Sequence, residues 1–555
     1  MKKIIAMLLC LVMMLGLAAC AGSSENAGST TTNSAASSET STTGDSADAS
    51  APSDTSANTG ETADASDLSN TLIYAGEGTD TINPILDTHG ELVTIVFDGL
   101  LKLDGNGKPV PCLAETYAYD EAALTYTFNL RKDVKWHDGE DFNAEDVLFT
   151  YDILMHDETI AASTRTNYED ITSIEAPDDY TVIITLGQPV AAMETYFVCG
   201  IMPKHLLEGE DISTTSFNQA PVGTGKYKLE SWDMTGGMIT FVRNEDYFGK
   251  VPNIERLIYK TVGDETTKAT MLQSGEADLA WLNANYAAQF RGNNAYKNWD
   301  FTTADYRACS MDFRTEFWQQ NGDSIGVLNY ALDKELIVES ILQGQGAVAY
   351  SPIQLNPLGA NKDADIYTYD LEKFDAEMAK LGWVKGDDGI YERNGQDFHF
   401  TIQVREYEEE RVDIANLVSN MLKMAGVNME VVFVTKFDWT SGYNGFLAGY
   451  ATEFDPDMIY AQFVTGGSNN TMQYSNAEVD ELLKKARHMV DPAERLAIYG
   501  EFEKVYAEHP GVLLVAYLDG NYVGISGIDG LDTTRVLGHH AVGVMWNIED
   551  WTITR

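Results

Sequence analysis

Asp455-Pro456-Asp457 and His539-His540 are the residues whose types and spacing come nearest to a reactive constellation. Two carboxylates flanking a proline could hold a hard cation or serve as the carboxylate pair of a glycoside hydrolase. The structural alternative is that Pro456 starts a helix with Asp455 as its N-cap, in a loop that faces a ligand without doing chemistry on it. The adjacent histidines could ligate a metal, but neighbouring side chains tend to point to opposite sides, and the other His of the nine show no ligand spacing. No G-x-S-x-G, P-loop or H-E-x-x-H string occurs. Turnover chemistry thus lacks support in the sequence, and the expectation is a binding protein that needs no cofactor.

The elements that would position such residues are well punctuated. Tyr126, Phe128 and Leu130 alternate with Thr127, Asn129 and Arg131, the period-2 pattern of a half-buried strand. His137, Asp138 and Gly139 then turn the chain. Asn143 stands at an N-cap and Asp146 at the third helical position of a capping box, with Phe142 and Val147 as a hydrophobic staple, so a helix is predicted to start at Ala144. Strand patterns such as Tyr180 to Leu186 alternate with capped helices such as Asn476 to Arg487, which makes the class mixed α/β. The 555-residue chain exceeds the roughly 250–300 residues at which one core stops growing, so two or three compact units are expected.

Compartment is legible at the start of the chain. Lys2 and Lys3 precede an apolar run from Ile4 to Leu17, shorter than the roughly 20 residues of a membrane span and laid out like a signal peptide. Leu17-Ala18-Ala19-Cys20 resembles the bacterial lipobox, which implies loss of residues 1–19 and lipid attachment at Cys20. The alternative is ordinary secretory cleavage. From Ala21 to about Asp67 the chain is Ser, Thr, Ala, Gly, Asn and acid apart from Pro52, with no aromatic and no Lys or Arg. Such a stretch buries no core and reads as a tether reaching roughly 40 Å. With 85 acidic against 37 basic residues the net charge is -48, which speaks against nucleic acid as a partner. Of five cysteines, Cys10 leaves with the signal and Cys20 carries lipid. Cys112, Cys199 and Cys309 remain, an odd number read as buried structural thiols.

Residues 122–155, AALTYTFNLRKDVKWHDGEDFNAEDVLFTYDILM, resemble the hallmark of the family 5 extracellular solute-binding proteins, the peptide, nickel and opine receptors of ABC importers. INPILDTHGELVTIVFDGLLKLDGNGKPVPCLAETY, PVGTGKYKLESW, FVRNEDYFGKVPNIERL, FDPDM and YSNAEVDELLKKAR continue the resemblance in the family's order, from about Leu72 to the C-terminus. The implied fold is a two-lobed periplasmic-binding-protein type II-like α/β architecture with an extra inserted subdomain. Residues 70–115, 222–309 and 513–555 would form lobe I, 116–221 the inserted subdomain and 310–512 lobe II, behind a signal peptide over 1–19 and a lipidated tether over 20–69. The chain would cross between lobes near Ala308 to Met311 and near Pro510 to Leu513.

The resemblance also implies site residues. Arg405, followed by Tyr407, stands where dipeptide receptors grip the ligand's carboxylate; the alternative is a surface Arg paired with Glu408 or Glu409. Glu453 matches the acid that holds the ligand's ammonium if one residue is treated as deleted; without that gap the segment agrees better with the nickel-receptor type. Thr88, His89 and Gly90 match the loop that meets the ligand backbone, Asp455 lies in the ligand-facing loop, and Trp439, Tyr443 and Tyr450 could add flat apolar area or be core aromatics. The implied function is a membrane-anchored, extracellular, monomeric receptor that closes around a peptide and delivers it to ABC permease subunits. Nickel complexes or oligosaccharides are the alternatives within the fold, and a surface hydrolase or adhesin lipoprotein the alternatives outside it.

Overall fold

The strand Thr125–Leu130 forms as its alternation requires, with Tyr126, Phe128 and Leu130 buried. Asn143 caps the helix Ala144–His156: its side chain accepts from the Glu145 N–H, and the Asp146 carboxylate accepts from the Asn143 N–H to complete the capping box. In the computed structural model these two elements belong to a unit built on a four-stranded sheet, with Ala114–Asp120 and Ile171–Asp178 at the edges and Thr125–Leu130 and Thr181–Leu186 inside. The structure describes residues 68–87, 90–353, 361–440, 442–452 and 454–555. The signal segment, Cys20, the tether, Thr88, His89 and Glu453 lie outside the described residues.

An eleven-stranded sheet runs through the rest of the described chain. At its centre the long strands Tyr296–Met311 and Val512–Ile525 pair antiparallel. On one side lie Leu279–Leu282, Thr71–Gly76, Arg256–Thr261, Met238–Arg243 and Tyr227–Asp233; on the other lie Gly445–Ala451, His399–Arg405 and Asn428–Val434, and Gly346–Val348 pairs with Val512–Ile525 as the eleventh. The two halves are therefore joined by continuous strands. Near the expected crossings, residues 308–311 and 510–513, Ala308 stands opposite Leu514 and Ser310 opposite Val512, just after a register shift between Arg307 and Ala308. The register also breaks, over a longer stretch, between Thr302 and Tyr306. There the freed backbone groups find other partners: the Ala304 N–H donates to the Leu537 carbonyl at 2.7 Å, and the Thr303 hydroxyl to the Leu518 carbonyl at 2.7 Å. Such a bulge bends a strand, which suits a junction between halves.

Leu72, Phe128, Val182, Leu279 and Trp551 belong to one hydrophobic cluster, so the four-stranded sheet shares its core with the near half of the large sheet. The far half is covered by two further clusters, one around Met311, Phe400, Ile414 and Leu422 and one around Tyr306, Val479, Phe502 and Leu514. Cys309 is buried within the second of these cores, Cys112 is buried beside Asp98, Cys199 is half-buried, and all three are free thiols. Among the described residues no helix is long and apolar enough to cross a membrane.

Candidate functional site

Between the two halves of the large sheet lies a cavity of about 660 Å³, within the roughly 300–1,000 Å³ usual for small-molecule sites. Much of its lining comes from the ends of strands, the place where open sheets with parallel strands hold ligands. Glu77 and Gly78 follow the strand Thr71–Gly76, and Arg405 ends the strand His399–Arg405.

The near wall is aromatic. Tyr74 and Tyr522 meet hydroxyl to hydroxyl at 3.4 Å, Tyr522 donates to the Ala541 carbonyl at 3.0 Å, and Tyr259 donates to the Glu77 carbonyl at 2.7 Å. Gly76 permits this approach, since a Cβ there would stand 2.2 Å from the Tyr259 hydroxyl oxygen. Trp281 completes the wall. Behind it, the buried Glu91 carboxylate accepts from the N–H groups of Gly543 and Met545 at 2.7 and 2.9 Å, tying down the loop that carries both histidines. Burial outweighs those bonds and pushes the Glu91 carboxyl above its usual range.

Arg405 faces the cavity from the far half. Its guanidinium sits 4.7 Å over the Phe437 ring and 3.2 Å from Glu408, and its side chain keeps 35% of its exposure. Among the described residues that line the cavity it is the one Arg or Lys. Arg405 is thus paired with Glu408 and at the same time faces the cavity.

Beneath Arg405 a charged network runs to the strand break. Glu408 also accepts from Arg411 at 2.7 Å, Arg411 lies 3.5 Å from His540 Nε2, and His540 Nδ1 lies 3.5 Å from Glu77. In parallel, His539 Nδ1 lies 3.0 Å from Asp305, which pairs with Arg307 at 2.8 Å, and Arg307 with Glu410 at 3.0 Å. Gly449 makes room for this layer, because a Cβ would stand 2.5 Å from the Arg307 guanidinium and 2.6 Å from the His539 ring. Burial alone would raise the Asp305 carboxyl, but Arg307 and His539 hold it well below its usual range. Burial pushes the His539 imidazole down to about 4 against the pull of Asp305, so it is neutral and donates its Nδ1–H to the carboxylate. His540 and Ala541 both have positive φ, 55° and 54°, a conformation uncommon outside glycine that turns both imidazoles toward the cavity lining.

A pH dependence follows. His539 has a folded value of about 4 against an ordinary 6.5, so as pH falls the unfolded chain takes up its proton first. Its contribution, about 3 kcal/mol, is present above about pH 6.5 and lost as pH falls toward 4. The buried Glu503 carboxyl, pushed up to about 7, works in the opposite sense. The His539 part is therefore read as the difference between wild type and His539→Gln in melting temperature against pH: the gap should narrow as pH drops from 7 to 4, and a constant gap would contradict it.

Of the site residues expected from the sequence, the structure brings Gly90, Arg405 and Tyr450 to the cavity. Tyr450 is held by its hydroxyl, 2.7 Å from Ser310 Oγ, and by contact with Tyr306. Tyr407, Trp439, Tyr443 and Asp455 do not line it. Tyr407 lies in the turn after the strand ends at Arg405, where strand alternation no longer applies, and is 63% exposed. Trp439 packs edge-on against Phe446 in a small apolar cluster beside the cavity, and Tyr443 is half-buried in the loop before Gly445–Ala451. Asp455 caps the turn Pro456–Ile459, as the structural alternative required, but its carboxylate is gripped by both terminal nitrogens of Arg495 at 2.7 and 2.5 Å. Glu77, Trp281 and Tyr522 escaped the sequence reading, and His540 entered it only as one of an adjacent histidine pair weighed for metal. The rule that ligands sit at the carboxyl ends of strands could have found Glu77; nothing local marks the others.

Residues 108–477 match the family described as "Bacterial extracellular solute-binding proteins, family 5 Middle". Protein XP55 of Streptomyces lividans is 31% identical over 468 residues, 82% of this chain and 84% of that protein. The crystal structure of NikZ from Campylobacter jejuni in complex with Ni(L-His) superposes with a TM-score of 0.80 at 32% identity, covering 87% of this chain and 99% of that one. The oligopeptide-binding protein AppA from Bacillus subtilis, in complex with a nonapeptide, superposes with a TM-score of 0.76 at 25% identity, with 87% and 99% covered. A two-lobed α/β fold, a cavity between its halves and a family match over most of the chain lead to one assignment: this chain belongs to the family 5 bacterial extracellular solute-binding proteins, the substrate-binding proteins of ABC transporters.

Proposed function

We propose that this chain is a lipid-anchored extracellular receptor that captures short peptides between its two lobes and delivers them to an ABC permease. Arg405 carries this reading. A lone guanidinium facing an otherwise aromatic and acidic cavity is suited to grip one carboxylate in a fork, and a peptide's C-terminus supplies one. Glu77, whose carboxyl is held below its usual range by His540 and Lys268 against burial, keeps a negative charge on the opposite wall for the amino end. Glu453 remains the acid proposed for that role from the far lobe. Relatives described as oligopeptide- and glutathione-binding support the class. Lobe I would comprise 70–115, 222–309 and 513–555, and lobe II 310–512, with 116–221 inserted. Cys20 would carry the anchor; incorporation of labelled palmitate, lost in Cys20→Ala, tests it.

A second reading has a specific observation behind it. His539 and His540 both line the cavity, and the solved relative at 32% identity holds Ni(L-His). Among the described residues no group of three His, Cys, Asp or Glu could hold a bare ion. Nickel as cargo would enter as a complex, as in that solved relative, with His540 as a further donor.

Native mass spectrometry of the full chain, purified without denaturant, separates the two. Added mass that fragments into amino-acid residues supports the first reading. Added mass with the isotope pattern of nickel would replace it with the second.

A further inference from the structure

The turn after Asp455 has two faces. Met458 and Gln462 line the cavity. Asp457, one residue earlier, is wholly enclosed elsewhere: its Oδ2 accepts from the Tyr196 hydroxyl at 2.8 Å and from the Arg487 guanidinium at 2.5 Å. Arg487, 1% exposed, also donates to the Thr166 carbonyl at 2.8 Å, stands 3.6 Å from the Asp170 carboxylate, and lies 4.6 Å over the Tyr460 ring. Around this centre the Ala191 N–H donates to the Arg487 carbonyl at 3.1 Å, and His488 Nδ1 lies 2.8 Å from the Pro189 carbonyl.

Apart from the Asp457–Arg487 pair and the Arg487–Tyr460 stack, each contact in this group joins two parts of the molecule. Thr166, Asp170, Ala191 and Tyr196 belong to the unit of the four-stranded sheet, whereas Asp457 and Arg487 belong to the helical layer over the far half of the large sheet. A buried Arg–Asp pair is costly to desolvate unless its lone pairs and protons find partners, and here the Tyr196 hydroxyl and the Thr166 carbonyl supply two of them from the other side. With the two parts separated, Asp457 and Arg487 would keep each other and the Tyr460 ring but lose the Tyr196 and Thr166 partners to water.

We propose that Tyr196, Asp457 and Arg487 form a latch that fixes the Pro456–Ile459 turn, and with it Met458 and Gln462, in the position that meets a bound ligand. Tyr196 and Arg487 are thus positioning residues for ligand affinity although neither lines the cavity. The latch rests on the cavity being the solute site and not on which solute enters it.

The test uses the full chain as wild type, Tyr196→Phe and Arg487→Met. Hydrogen exchange is followed by mass spectrometry without ligand, and dissociation rates are measured for trialanine and for nickel(II)–L-histidine. Tyr196→Phe removes one hydrogen bond to a charged group, so whichever probe binds should leave roughly tenfold faster. Exchange should rise together in two segments distant in sequence, 189–196 and 456–463. Arg487→Met should do the same more strongly where it folds; Tyr196→Phe decides the matter where it does not. Faster exchange near Ala191 alone, or a lowered melting temperature with unchanged dissociation of a bound probe, would reduce the contact to a structural one and overturn the latch. If neither probe binds, the peptide and nickel readings fall, while the paired exchange change still decides for or against the latch.

Discussion

Arg405→Ala is expected to weaken binding of a short peptide with a free C-terminus by roughly ten- to a hundredfold, at about 1.4 kcal/mol per decade. Opposite charges about 4 Å apart are worth about 4 kcal/mol at an effective dielectric near 20 before desolvation is subtracted. Two features reduce that figure. Arg405 is still about a third exposed, and Glu408 already takes part of its charge at 3.2 Å. The stack on Phe437 acts in the other direction by fixing the guanidinium plane, so less freedom is lost when the ligand docks. Arg405→Lys should recover only part of the affinity, since an ammonium cannot form the paired fork. Calorimetry on the three proteins checks this; equal affinities for wild type and Arg405→Ala would remove Arg405 from the site.

Arg495→Ala should destabilise the fold by about 3–5 kcal/mol, the usual cost of leaving one member of a buried pair without its partner. Arg495 is 6% exposed and Asp455 9%, and two short bonds join them, so little water can reach the abandoned carboxylate. A fall of roughly 5–15 °C is expected in the melting temperature of the unit that holds the pair, read by calorimetry. Asp455→Ala should cost a comparable amount, and the double variant less than the two together, because removing both charges leaves none unpaired. Were Asp455 a ligand group instead, Asp455→Ala would weaken binding and barely change stability.

The Asp455 outcome marks where sequence reading reached its limit. Its N-cap role is local, set by Pro456 beside it, and was legible. The direction of its carboxylate depends on Arg495, forty positions on in another helix, and a single sequence does not reveal that pairing. The same contrast runs through the fold. Phe128 and the Asn143 cap follow from spacing alone, whereas the strand break at Thr302–Tyr306 leaves no mark, because a bulge changes pairing without changing residue type. Arg405 and Tyr450 were reachable through motif position. Tyr74, Tyr259, Trp281 and Tyr522 meet only because four strands far apart in sequence lie side by side, and each reads in isolation as an ordinary core aromatic. Adjacent imidazoles are expected to diverge, but positive φ at His540 and Ala541 accompanies a loop in which both rings line one cavity. The net charge of -48 was silent on the site, whose nearest groups include the Arg405 guanidinium.

The central claim, that the cavity receives a peptide by its charged ends, is tested most directly by titrating the wild-type full chain in a calorimeter with four ligands: a free tripeptide, its C-terminal amide, its N-acetyl form and nickel(II)–L-histidine. The account predicts tightest binding for the free peptide, a loss of roughly tenfold or more on amidation and a similar loss on acetylation. Equal binding of free and blocked peptides, or binding of the nickel complex alone, would contradict it.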